Sequence, residues 1–105
     1  MEEDLVSRLE ELLSLMNSWE KRPVLKSGKI VIELVKLPER KTKSRYEPER
    51  LALHVRREDA FRGVIIQSRE EYEDLHAALN TDKIRELISA ITEVSKRRRV
   101  QEFEL

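Results

Sequence analysis

The chain of 105 residues has no cysteine. That alone excludes disulfides and thiolate metal sites. Glycine occurs twice, as the isolated Gly28 and Gly63. Neither a phosphate-cradling loop nor a dinucleotide fingerprint can be built from them. A serine elbow and a cysteine nucleophile are also missing. The two histidines, His54 and His76, fall in different elements, and no acidic pair flanks a plausible cleft. A zinc site made of those histidines and carboxylates finds no support in their spacing. The expectation is a protein that is not an enzyme and carries no metal or cofactor. No apolar run approaches the roughly 20 residues that span a bilayer. The N-terminus is acidic and amphipathic, unlike a signal peptide. A soluble, cytoplasmic chain without a membrane partner is expected. Its length fits a single domain, 1–105, with a modest core.

What is present in abundance is charge. Asp, Glu, Lys and Arg make up 40% of the chain, in equal numbers of each sign, against about 25% in ordinary domains. Many ion-pairing residues with few labile ones is a thermophile pattern. The charges are segregated. Residues 1–20 carry one base and six acids, and residues 63–95 carry three bases and seven acids. Residues 21–62 between them hold 13 bases against six acids, and Lys96 to Arg99 form a final basic run.

Periodicity outlines the elements. Leu5, Leu9, Leu12, Leu13 and Met16 recur at three- and four-residue spacing, which predicts a helix near the N-terminus. Glu2, Glu3 and Asp4 sit where the helix dipole favours acids. Trp19 follows the helix, and Pro23 blocks its continuation. "KSGK" is a turn with Gly28 at its tip. Val24 and Leu25 suit a short strand across that turn from "KIVIELVKL", which reads as a central strand apolar on both faces. "PERKTKSRYEPE" shows no period and reads as a charged connector bounded by Pro38 and Pro48. "RLALHVRR" alternates, with Leu51, Leu53 and Val55 on one face and Arg50, Ala52, His54 and Arg56 on the other. "EDAFRG" is a turn, and "GVIIQS" a further strand. Short connections between these strands favour an antiparallel meander.

Ser68 and Glu71 form a capping box for a helix through "SREEYEDLHAALN". Thr81 or Asp82 caps a second helix, striped by Ile84, Leu87, Ile88, Ile91 and Val94. "VQEFEL" reads as a short apolar tail in which Phe103 and Leu105 dock on this subunit or a neighbour. The sum is an α+β fold: a three- or four-stranded antiparallel sheet packed against an N-terminal helix and C-terminal helices. The last stripe is longer than one small sheet needs, so a homodimer or higher homo-oligomer through that helix is expected.

The basic block carries the functional reading. Lys36, Arg50, His54, Arg56, Arg57 and Arg62 belong to the strands and the turn between them. Arg40, Lys41, Lys43 and Arg45 populate the connector. Tyr46 and Phe61 lie within the block, and Trp19 near its edge. Cationic side chains neutralise phosphates, and aromatic faces stack on unpaired bases. These residues point to single-stranded DNA or RNA as partner. The competing expectation is that the bases pair with the chain's own acids as a solvated surface. A related alternative is an assembly module, in which the acidic helices of one copy meet the basic strands of another.

The succession of "KIVIELVKLPERK", "RLALHVRR", "GVIIQSREEYEDL" and the leucine- and isoleucine-striped last helix resembles the ThermoDBP-related single-stranded DNA-binding proteins of hyperthermophilic archaea. The likeness covers most of the chain from Lys29 onward, in element order and character. It implies a dimer or larger assembly that holds unpaired nucleic acid on a basic, aromatic sheet surface. On this chain that would be Lys36, Arg50, His54, Arg56 and the connector bases. "RGVIIQSREEYEDLHAAL" also resembles single-strand binders of the positive transcriptional coactivator type, which pair a curved sheet with a dimerising helix.

Overall fold

The computed structural model describes residues 2–103. Helix α1 (Glu2–Leu15) is followed by strands β1 (Lys21–Ser27), β2 (Ile30–Leu37), β3 (Arg40–Lys41), β4 (Tyr46–Glu47), β5 (Arg50–Arg57) and β6 (Gly63–Ile66). Helices α2 (Arg69–Leu79) and α3 (Asp82–Phe103) complete the α+β fold. The chain divides into two compact units, Met1–Ser68 and Arg69–Leu105.

In the first unit, β1, β2, β5 and β6 form one antiparallel sheet in that order, the expected meander. Gly28 and Lys29 make the two-residue loop between β1 and β2. Gly28 has φ of 59°, the left-handed conformation that glycine adopts without a Cβ penalty. Pro23 lies on the edge strand β1, where a missing N–H is tolerated, and the register shifts between Pro23 and Leu25. The charged connector is structured after all. Arg40 pairs with Glu47 and Lys41 with Tyr46, and Thr42 closes the turn through its amide to the Arg45 carbonyl at 2.8 Å. Two residues per strand are too few to show a period in sequence.

The sheet register decides what each face carries. Glu33 pairs with His54, Val35 with Ala52, and Leu37 with Arg50. Successive strand residues alternate faces, so these six share one. That face carries the cluster of Val35, Leu37 and Ala52, against which Ile65 packs. Val35 is only 1% exposed. The opposite face holds Leu34, Leu51, Leu53 and Val55, all half-buried, with the buried Lys36 and Ile66 beside them. Sequence alternation alone would make the second set the core. The polar face also encloses buried residues, because Glu33, His54 and Arg56 satisfy one another, which removes the penalty on enclosing charge. Ala52 leaves room for its larger neighbours.

After α1 the chain turns sharply. Glu20 accepts the Asn17 amide through Oε1 at 3.0 Å. Backbone bonds from Trp19 N to Lys36 O (2.7 Å) and from Lys36 N to Glu20 O (3.2 Å) then dock this segment along β2.

In the second unit, Thr81 caps α3, accepting the Ile84 amide through Oγ1 at 3.3 Å. Tyr72 and His76, one turn apart on α2, stack with ring centroids 6.0 Å apart. Helix α3 continues through Phe103, where an apolar tail was expected. The docking expected of Leu105 lies outside the described residues, and nothing is described of the Phe103 side chain. Along α3, Leu87, Ile88, Ile91 and Val94 are exposed by half or more. Among the described residues no helix is long and apolar enough to cross a membrane.

Candidate nucleic-acid interface

Four of the residues expected to meet a phosphate backbone turn inward. Lys36 is buried, and its Nζ donates to the Met16 carbonyl at 2.8 Å and pairs with Glu49 at 3.3 Å. It ties the chain just after α1 to the sheet. His54 is also buried, with Nδ1 3.1 Å from Glu33 Oε2. Arg56 grips Glu33 with two prongs, Nε to Oε2 at 3.1 Å and Nη2 to Oε1 at 3.0 Å. Its Nη1 donates to the carbonyls of Arg57, Glu58 and Ala60 at 3.1–3.3 Å. One guanidinium therefore shapes the whole β5–β6 turn. Its hydrogen bonds hold the Glu33 carboxyl at about 2, with smaller help from His54. Arg50 acts similarly at the other end of β5. It donates to the Pro48 and Pro38 carbonyls at 3.1 and 3.5 Å, to Glu47 Oε2 at 3.1 Å and to Gln67 Oε1 at 2.9 Å. Both ends of the β3–β4 hairpin are thus pinned to it.

The other bases remain on the surface. Arg57 forms an exposed pair with Asp59 at 2.9 Å. Lys41 lies 3.6 Å from Glu39 and 5.7 Å from the centre of the Tyr46 ring. Glu39 beside the Tyr46 phenol raises its pKa. Among the described residues Arg40, Lys43, Arg45 and Arg62 form no ion pair, and all four are exposed. Arg40 and Arg45 converge with Thr42 and Glu47 on a small cleft of the hairpin.

Two larger clefts open on the polar face of the sheet. One, of about 480 Å³, is lined by Lys21, Glu33, Arg56 and the turn residues Glu58 to Phe61. The other, of about 250 Å³, is lined by Trp19, Val35, His54, Arg62 and Ile65 among others. Lys21 and Phe61 belong to both. Phe61 is 91% exposed, and Trp19 and Tyr46 more than half. Lys21 reaches the Phe61 carbonyl at 3.5 Å.

Glu33 and Lys21 were missed in the sequence as parts of this site. The signal for Glu33 was available: one acid in the middle of the apolar run "IVIELV" is costly unless a partner faces it. Among the described residues, no cluster of His, Asp and Glu has the geometry to hold a metal ion. No protein-family model, curated protein or solved structure matches the chain.

Proposed function

We propose that the chain binds single-stranded nucleic acid without regard to sequence, DNA before RNA, and does so as a homodimer joined through α3. The observation that carries the reading is the set of exposed cations without acid partners beside exposed aromatic rings. Arg40, Lys43 and Arg45 share the β3–β4 hairpin with Tyr46, and Arg62 follows Phe61. Lys41 and Arg57, also exposed, each have an acid beside them, whereas these four do not. Unpaired cations release counterions when they meet phosphates, and exposed rings give each base a face to stack on. Lys36, Arg50 and Arg56, turned into the fold, then shape the scaffold without touching the strand. The likeness to ThermoDBP-related single-strand binders points the same way, with the contact surface moved from the sheet to its rim and hairpin.

The homodimer rests on the stripe from Ile84 to Val94, whose side chains stay between 37% and 56% exposed. Half-exposed apolar residues at helical spacing lower their free energy when a second helix covers them. The same stripe favours the alternative reading, an assembly module with no nucleic-acid ligand.

The test is a titration of labelled single-stranded DNA at several salt concentrations. The wild type is compared with a variant carrying alanine at Arg40, Lys43, Arg45 and Arg62. Each lost phosphate contact flattens the salt dependence by about 0.7 in log–log slope. The variant should lose up to ~3 in slope and keep its thermal stability. Equal slopes for the two proteins would refute the proposed surface.

A further inference from the structure

Trp19 is the one non-glycine residue with positive φ among the described residues, at 67°. A bulky side chain in the left-handed region costs free energy, and such strain persists only where the surroundings enforce it. Here the enforcement is visible in the 2.7 Å bond from its amide to the Lys36 carbonyl. Trp19 is nevertheless more than half exposed, so burial of its ring does not offset the strain. Trp19 lines the 250 Å³ cleft, together with Phe61 and Arg62. Its volume falls below the roughly 300–1,000 Å³ of sites for drug-sized ligands, a size for one heterocycle. His54 also lines it. Its Nδ1 faces the Glu33 carboxylate, whose second oxygen is held by Arg56. No buried side-chain nitrogen or oxygen lacks a partner among the described residues. His54 Nε2 makes no protein hydrogen bond there, so it reaches the open space. In the tautomer whose Nδ1–H donates to Glu33, Nε2 is an acceptor.

From this geometry we infer that the cleft between Trp19 and Phe61 is a subsite for one unpaired nucleobase of the bound strand. The base lies against the two rings with its N–H edge toward His54 Nε2, and Arg62 and Lys21 meet the flanking phosphates. The subsite rests on the single-strand reading and adds to it a defined place where one base leaves solvent.

Trp19 is the only tryptophan in the chain, so its emission reports on this cleft alone. The experiment follows Trp19 emission and the anisotropy of a labelled oligodeoxynucleotide in one titration, for wild type and Phe61→Ala. The expected result is quenching of Trp19 with the same midpoint as the anisotropy rise. Phe61→Ala should bind about 5- to 150-fold more weakly, the range for losing one stacked base, and Phe61→Tyr should restore affinity. Because Phe61 is almost fully exposed, its truncation leaves folding intact, checked by the unchanged far-ultraviolet spectrum. An anisotropy rise with no change in Trp19 emission, and an unaltered Phe61→Ala, would overturn the subsite while leaving the single-strand reading in place. No anisotropy rise at low salt would overturn both.

Discussion

Replacing Glu33 with glutamine tests how the sheet buries its polar face. The carboxylate accepts from Arg56 through both oxygens and faces His54 through one. Its pKa in the folded chain is about 2, against an ordinary value of 4.5. Each pKa unit corresponds to about 1.4 kcal/mol, so the ionised carboxylate contributes about 3 kcal/mol at neutral pH. Breaking a buried pair by removing one partner costs about 3–5 kcal/mol. Arg56 keeps three backbone carbonyls, which favours the lower end. The two routes therefore agree on about 3 kcal/mol. The sign with pH follows from the depressed pKa. The folded state binds this proton more weakly than the unfolded chain, so the stabilisation is complete above about pH 4.5 and is lost as pH falls toward 2. Urea unfolding followed by Trp19 emission is the assay, since Trp19 lies in the unit that contains the sheet. Glu33→Gln should be less stable than wild type by about 3 kcal/mol at pH 7, and the gap should shrink below about 0.5 kcal/mol near pH 2. Equal stability at pH 7, or a gap that persists unchanged at pH 2, would refute the reasoning.

Further outcomes follow from the same structure. Lys36→Met should lower stability by about 1–3 kcal/mol in urea titrations, because the Met16 carbonyl loses its buried donor, while affinity for single strands stays at the wild-type level. Gly63→Ala should cost about 3 kcal/mol in the same assay, because a methyl there runs into the Val55 carbonyl oxygen and the Arg56 side chain. Ile88→Glu, in the exposed stripe of α3, should shift the protein to monomer in light scattering. An unchanged mass would remove α3 as the seam. Arg57→Ala should leave the urea midpoint unchanged, since its pair with Asp59 lies at the surface.

The strands and helices were legible because their signals are local. The β-branched run from Ile30, the alternation from Arg50 and the stripe from Ile84 each set a period within a few residues. The connector's hairpin was not legible, because its two-residue strands leave no period and are held from outside by Arg50. The candidate site was half legible. Arg40, Lys43, Arg45, Tyr46, Phe61 and Arg62 are exposed as read. The fate of Lys36, His54 and Arg56 depended on which residue stands across the strand or beyond the turn. Glu33 lies opposite His54 only once β2 and β5 are in register. Lys36 finds the Met16 carbonyl only once the chain has turned back after α1. Such partners are 20 or more residues away in sequence, beyond the reach of a local pattern. Trp19 is similar: its left-handed backbone comes from a bond to Lys36, in a segment with no glycine to mark it.

The most direct measurement is fluorescence anisotropy of labelled single-stranded DNA, single-stranded RNA and duplex DNA with the wild-type protein, from low to physiological salt. Salt-sensitive binding that favours single strands over duplex is the predicted result, the unpaired cations tracking phosphates while the exposed rings stack on bases. Failure to bind all three at low salt would contradict the account and leave α3 and the half-buried sheet face as surfaces for a protein partner.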